Sequence, residues 1–298
     1  MSKSSSFSYR LLLLALRYTP FDKAYLRLMF KHEMGYKLNL KDPKNFHEKL
    51  QWLKLYNRKP IYTTMVDKYA VKDYVAKLIG PQYVIPSLGV WNYPEDIEWE
   101  KLPDQFVLKT TDGGGSCGVI ICKDKSTFNT SQAVVKLREA MKLNIYRRFR
   151  EWPYKNVPKR ILAEQFMQDP TSSVGGDLND YKFYCFNGEV TYCEVISGRR
   201  TKKAIDFFDL NWNHVDFCFN TYDYYEGNLE KPSCFDEMVD VASKLCKDLP
   251  FSRIDLYEVG GKVYFGEITF FPASGFLGYH PQEWNRKLGD MIDLSKFQ

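Results

Sequence analysis

Phe251-Ser-Arg-Ile-Asp-Leu-Tyr-Glu-Val-Gly-Gly-Lys-Val-Tyr-Phe-Gly-Glu-Ile-Thr-Phe-Phe-Pro-Ala-Ser-Gly275 reads as two strand-like runs about a Gly260-Gly261 pair. It predicts a β-hairpin that places Asp255 and Glu267 on neighbouring strands. Side chains alternate along a strand, so the length of the turn decides whether the two acids meet. A two-residue Gly260-Gly261 turn sets Asp255 opposite Gly266 and sends Glu267 to the other face. A three-residue Val259-Gly260-Gly261 turn, with Gly261 left-handed, gives a bulged hairpin in which Glu267 faces Arg253 and lies diagonal to Asp255. Arg253, Asp255, Glu267 and Thr269 then share one face, and Ile254, Leu256, Tyr264 and Ile268 make an apolar face suited to a core. That segregation favours the bulged register. Neighbouring carboxylates repel unless a cation lies between them, and Mg²⁺, which takes one or two carboxylates with waters and phosphate oxygens, meets the need. The competing use is an Arg253–Glu267 ion pair with Asp255 in water, worth under about 1 kcal/mol.

The surrounding 298 residues are 44% hydrophobic and 27% charged, the composition of a folded globular protein. A net charge of +5, from basic residues scattered among 37 acids, does not demand nucleic acid. Seven cysteines without a C-x-x-C pair point to neither a disulfide framework nor a zinc site, and so to a reducing cytoplasm. The apolar run between Arg10 and Arg17 is six residues long, far short of the roughly 18 to 20 that span a bilayer. It is expected to be a packed N-terminal helix, with peripheral membrane contact as the alternative.

Helical spacing predicts a helix from about Asn45 to Tyr56 and another from Thr63 to Gly80-Pro81. A strand follows at Tyr83–Val90. Gln105–Lys109 and Gly118–Cys122 form a hairpin around Asp112-Gly-Gly-Gly-Ser-Cys-Gly118. A helix at about 131–142, a strand at 160–166, a hairpin around Asn187-Gly188 and a helix at 235–247 complete an α+β chain.

Two further constellations carry chemistry. Lys109 leaves a strand end beside a glycine cluster whose backbone N–H groups can approach phosphates closely. No P-loop or kinase signature is present. Lys182, alternating with apolar residues in Asp180-Tyr-Lys-Phe-Tyr-Cys-Phe186, and Arg199-Arg200 offer cations for a γ-phosphate or an acyl-phosphate, Arg through its fork of donors.

The lysine–glycine hairpin, Arg160-Ile-Leu-Ala-Glu-Gln-Phe-Met167, Asp180-Tyr-Lys182, Arg253-Ile-Asp255 and Glu267-Ile-Thr269 occur in an order that resembles the ATP-grasp superfamily. Asp42-Pro-Lys-Asn-Phe-His-Glu-Lys-Leu-Gln-Trp52, Val66-Asp-Lys-Tyr-Ala-Val71 and Arg150-Glu-Trp152 narrow the resemblance to the TupA-like ATP-grasp proteins of bacterial surface-polysaccharide clusters, across about residues 35–292. It implies an ATP-grasp fold, with nucleotide held between two α+β subdomains (101–160 and 161–298) behind a helical region at 1–100.

The resemblance also implies that Lys72 and Lys109 contact ATP phosphates beneath the loop of Gly113, Gly114, Gly115 and Ser116. Glu164 would begin the adenine segment, Gln165, Phe166 and Met167 would offer backbone contacts to the base, and Asp169 would reach the ribose. Asp255, Glu267 and Thr269 would hold Mg²⁺, Thr269 standing where relatives carry Asn. The implied reaction is ATP-dependent amide formation between a uronic-acid-type carboxylate on a saccharide and an amine or amino acid. Arg199, Arg200, Arg253 and Lys182 would steady the acyl-phosphate and the oxyanion that follows. The alternatives are a small-molecule or sugar phosphotransferase using the same ATP site and a non-catalytic nucleotide-binding protein.

Overall fold

The computed structural model describes residues 7–115, 118–168, 180–197 and 203–297. Five helices lead the chain: α1 (Phe7–Arg17), α2 (Asp22–Met34), α3 (Phe46–Tyr56), α4 (Ile61–Val66) and α5 (Ala70–Ile79). Glu48 fixes the start of α3 by accepting from the backbone N–H groups of Lys44 and Asn45 at 3.0 and 3.1 Å, a local acceptor for donors the helix cannot use.

The single helix expected from Thr63 is two. Asp67 stops α4, and its carboxylate accepts from the N–H groups of Tyr69 and Ala70 at 2.9 and 3.3 Å. Such a local bond competes with continued helix. An ion pair to Arg160 anchors the break to the chain beyond. As a result the Lys68 backbone leaves the helix direction and donates to the Thr111 carbonyl at 3.1 Å.

A four-stranded antiparallel sheet follows, from β1 (Ser87–Trp91), β2 (Phe106–Thr110), β3 (Val119–Cys122) and β4 (Ile161–Gln165) in the order β1-β4-β2-β3. It draws strands from outside 101–160 on both sides. Alternation divides its residues. Phe106, Leu108, Ile120, Ile161 and Ala163 are buried together against Ala133 and Leu137 of α6 (Thr130–Met141). Lys109 and Glu164 take the other face, along with Val119 and Ile121. The short helix α7 (Ile145–Phe149) separates α6 from β4.

The larger sheet contains β5 (Asp180–Phe186), β6 (Glu189–Ser197), β7 (Ala204–Phe208) and β8 (His214–Val215), closed on the far side by the hairpin β10 (Phe251–Val259) and β11 (Lys262–Thr269). β9 (Cys218–Phe219) pairs instead with β12 (Tyr279–His280), before α9 (Trp284–Asp290). One face, with Phe183, Ile254 and Leu256, packs on α8 (Phe235–Cys246). On the opposite face Phe46 of α3 meets Phe186 and Phe251, and Tyr279 meets Phe207. These rings cover only the end of the face that carries its aromatics. The charged end stays open towards the small sheet.

The β10–β11 turn is the two-residue one. Val259 pairs with Lys262, and Gly260 and Gly261 both have positive φ, 57° and 73°, the twist-matched turn that favours Asn-Gly and Gly-Gly. The expected three-residue turn is thereby corrected, but the acids still meet. A bulge falls at Gly266, so Leu256 pairs with Phe265 while Asp255 pairs directly with Glu267. A Cβ on residue 266 would lie 2.9 Å from the Asp255 carbonyl oxygen and 2.9 Å from Tyr257 Cε2, so only glycine sits there without displacing backbone. Phe265 takes the core place expected of Tyr264.

Two outcomes test this register. Gly260→Asn should keep unfolding stability within about 0.5 kcal/mol of wild type, since Asn-Gly suits such a turn. Gly266→Ala should cost about 1–3 kcal/mol in urea unfolding, because a clash with main chain cannot be relieved by a side-chain rotation. Equal stability of the Gly266 variant would contradict the bulge.

Candidate active site

Between the two sheets runs a cleft of about 630 Å³, with Lys68, Lys72, Lys109, Glu164, Asp180, Lys182, Arg253, Asp255 and Glu267 among its lining residues. Its floor is a row across the large sheet. Glu267, Asp255 and Lys182 stand in successive cross-strand pairs and therefore on one face, and the row continues beneath the surface to Glu194, 2% exposed and not a lining residue of the cleft.

Asp255, 2% exposed, is held from two sides. Arg253 donates from Nε to one carboxylate oxygen and from Nη2 to the other, both at 2.7 Å, and Lys182 forms an ion pair with the second oxygen. Lys182 also reaches Asp180 at 2.7 Å. Asp255 is thus a buried, bidentate partner and not the solvated acid of the salt-bridge alternative. Lys182 is itself buried, 6% exposed. Arg253 Nη2 extends to Glu267 Oε1 and Thr269 Oγ1 at 3.2 Å each, and Thr269 donates to Glu267 Oε1 at 2.9 Å. The second Glu267 oxygen turns towards Lys68 at 3.9 Å.

Environment separates the two acids. Burial pushes the Asp255 carboxyl up to about 6 against the pull of Arg253 and Lys182. At Glu267 burial also acts upward, but Lys68, Arg253 and Lys182 overcome it and bring the group down to about 2. Both are ionised at neutral pH. Glu267, with 36% of its side chain exposed, is the accessible one. Because its folded value is depressed, its contribution to stability is present above about 4.5, the ordinary value, and is lost as pH falls towards about 2. Screening at this exposure keeps it near ~1 kcal/mol. The stability gap between wild type and Glu267→Gln in chelator should therefore be constant above pH 4.5 and close below it; a gap that widens on acidification contradicts the assignment.

The opposite wall brings Lys72 of α5 and Lys109 of β2 to one carboxylate. Glu164 pairs with Lys72 Nζ at 2.5 Å through one oxygen and with Lys109 through the other. Lys72 also donates to the Ile85 carbonyl at 2.6 Å. Burial draws the Lys72 ammonium down while Glu164 opposes it. Burial raises Glu164, but the two lysine charges carry it below the usual carboxylate range. Val71, Val84, Ile85, Val119, Ile121 and Phe265 supply apolar walls.

The glycine loop leaves β2 above these lysines. Gly115, φ 61°, lines the cleft, the Gly113 carbonyl accepts from Lys68 Nζ, and Gly114 packs near Ile145. Lys68 was not singled out from sequence. Its signal was the motif Val66-Asp-Lys68, four residues before Lys72, and it joins the glycine loop to Glu267. Glu194 was also missed; its signal is an acid within an apolar strand.

Gln165, Phe166 and Met167 are not among the cleft-lining residues. Strand alternation turns Gln165 away from Glu164, and its N–H is taken by the Pro86 carbonyl at 3.0 Å. Gln165 and Phe166 border a wide, open depression of about 870 Å³ that shares no lining residue with the cleft. Ser116, Asp169, Arg199 and Arg200 lie outside the described residues.

Among the described residues no three His, Cys, Asp or Glu side chains form a metal cage. Glu267 and the Thr269 hydroxyl offer hard oxygen donors that suit Mg²⁺ shared with phosphate oxygens, and Asp255 would join them on exchanging its bonds to Arg253 and Lys182.

No curated protein matches the chain significantly in sequence. Among solved structures, D-alanine–D-alanine ligase from Bacillus anthracis is 20% identical, with a TM-score of 0.43 over 77% of this chain and 66% of that one. The chain thus spans just under two thirds of that enzyme's length. The Helicobacter pylori D-alanine–D-alanine ligase is 16% identical, TM-score 0.44, over 83% and 69%. ATP-grasp ligase PsnB with minimal precursor, Mg and ADP is 11% identical, TM-score 0.41, over 99% and 76%. The family model for TupA-like ATP-grasp proteins matches residues 48–293. The chain belongs to the TupA-like ATP-grasp family and has the ATP-grasp fold.

Proposed function

We propose that the protein is an ADP-forming carboxylate–amine ligase that attaches an amine or amino acid to a uronic-acid-type carboxylate in the cytoplasmic biosynthesis of a bacterial surface polysaccharide. The observation that carries the proposal is the opposition, across one cleft, of the Lys72–Glu164–Lys109 cluster beneath a glycine loop and the Glu267–Asp255–Lys182 row. The free, buried thiols of the described cysteines agree with a reducing compartment.

In the proposed reaction Lys72 and Lys109 exchange Glu164 for nucleotide phosphates, and the Gly113–Gly115 backbone closes on them. Asp255, Glu267 and Thr269 would hold Mg²⁺, which would neutralise charge on the phosphates. The acceptor carboxylate oxygen attacks the γ-phosphorus and ADP leaves. The amine nitrogen then attacks the acyl carbon, the carbon–oxygen bond to phosphate breaks, and the amine gives up a proton as the amide forms. Lys182 and Arg253 stand beside the acids on the floor and offset the negative charge on the transferring group, as do Arg199 and Arg200 in the proposed assignment. No enzyme nucleophile is required.

Incubation with ATP, Mg²⁺, a glucuronate-containing acceptor and mixed amino acids should yield ADP, phosphate and an amide mass. ADP with a stable phosphorylated acceptor and no amide would replace the ligase by a phosphotransferase.

A further inference from the structure

The basic residues are scattered, but the charge imbalance is not. Residues 1–34, through the end of α2, contain Lys3, Arg10, Arg17, Lys23, Arg27 and Lys31 against Asp22 and Glu33, a net +4 of the chain's +5. Everything after residue 34 sums to only +1. Asp22 does not offset this charge at the surface, because it is buried and engaged by Arg58 at 2.7 Å.

The same segment exposes apolar side chains in a pattern. Leu11, Leu14 and Tyr18, spaced to share one face of α1, are 51%, 54% and 67% exposed, and Phe21 in the following corner is 62% exposed. On α2, Lys23, Arg27 and Lys31 recur every fourth residue and are all exposed, a basic stripe along one face. Tyr9 stacks on His32 at 4.0 Å, so the two helices run antiparallel as one hairpin. The body holds that hairpin: Arg150 Nη2 donates to the Leu16 carbonyl at 2.8 Å, and Tyr25 donates to the Arg148 carbonyl at 2.8 Å. Arg147 adds a guanidinium 5.0 Å from the Tyr18 ring.

We propose that the α1–α2 hairpin is a monotopic membrane anchor that lays its leucine face into an anionic lipid surface. Among the described residues no helix is long and apolar enough to cross a membrane, and an amphipathic hairpin with a basic stripe lies in the interface instead. A second copy of the chain is a poor occupant, since it brings the same +4 segment to the contact. Nucleic acid gives the leucines no partner. Anchoring would confine the cleft to the membrane surface, where an acceptor carried on lipid is presented to it. The anchor stands independently of the ligase assignment.

The test is co-sedimentation of the full chain with vesicles of phosphatidylcholine alone and with about 30 mol% phosphatidylglycerol. Binding should require the anionic lipid and weaken with salt. Lys23→Gln/Arg27→Gln/Lys31→Gln should lower the affinity on the order of 100-fold, and Leu11→Asp/Leu14→Asp should abolish binding. These positions are exposed, so far-ultraviolet circular dichroism melts and ATP binding should match wild type in both variants. Equal binding to both vesicles, binding that survives both variants, or a leucine-dependent dimer in light scattering would overturn the anchor.

Discussion

Glu267→Gln should lower Mg²⁺-dependent turnover on the order of 100-fold or more, with the fold and the unfolding midpoint nearly intact. The substitution is close to isosteric. A glutamine oxygen still accepts from Thr269, which donates to Glu267 at 2.9 Å, and Arg253 keeps its paired bonds to Asp255. What disappears is one negative charge at the accessible end of the row, so a cation shared with phosphate oxygens loses about 3 kcal/mol of electrostatic support, or ~100-fold in rate. Raising Mg²⁺ should recover little if the charge acts in the transition state, and more if it acts only in binding. An unchanged turnover number at saturating Mg²⁺ refutes Glu267 as a metal ligand.

Glu164→Leu should give the largest stability loss, about 3–5 kcal/mol, by stranding two ammonium groups beside an apolar wall. Lys72 is 8% exposed, and its remaining bond is to the neutral Ile85 carbonyl. Lys109 loses its ion pair as well. Tm should fall by roughly 5–10 °C. The nucleotide supplies the check on mechanism. In wild type, phosphates must compete with Glu164 for the lysines, whereas in the variant they are the only anions offered to them. Saturating ATP should therefore raise Tm more in Glu164→Leu than in wild type, a gain set by the ligand's preference for the folded state. Loss of stability without that larger nucleotide shift would make Glu164 a structural acid with no link to the phosphate site.

Much of the fold was legible because strand alternation is strict. The Lys109 and Asn187-Gly188 hairpins and the β10–β11 pair lie within a residue or two of where their patterns put them. The failures have local causes. Three glycines occur between residues 260 and 266, and sequence does not say which of them absorbs the extra residue; the contact of residue 266 with Asp255 and Tyr257 decides it. The α4–α5 break depends on the Asp67 carboxylate finding Arg160, far along the chain. Lys182 is held by Asp180, two residues before it on β5, and by Asp255 of β10, and only the second partner lies beyond the local sequence. Lys68 was hidden for that reason: its partners, Gly113 in the loop after β2 and Glu267 on β11, meet only when the fold brings the two sheets together.

The central claim is that ATP activates a carboxylate for attack by an amine, and oxygen transfer measures that step. With a glucuronate acceptor carrying heavy oxygen in its carboxylate, the ligase route predicts one labelled oxygen in the inorganic phosphate released for each amide formed, because the acyl carbon–oxygen bond is the one that breaks. Phosphate without label, or label retained in a stable phosphorylated sugar, contradicts the account.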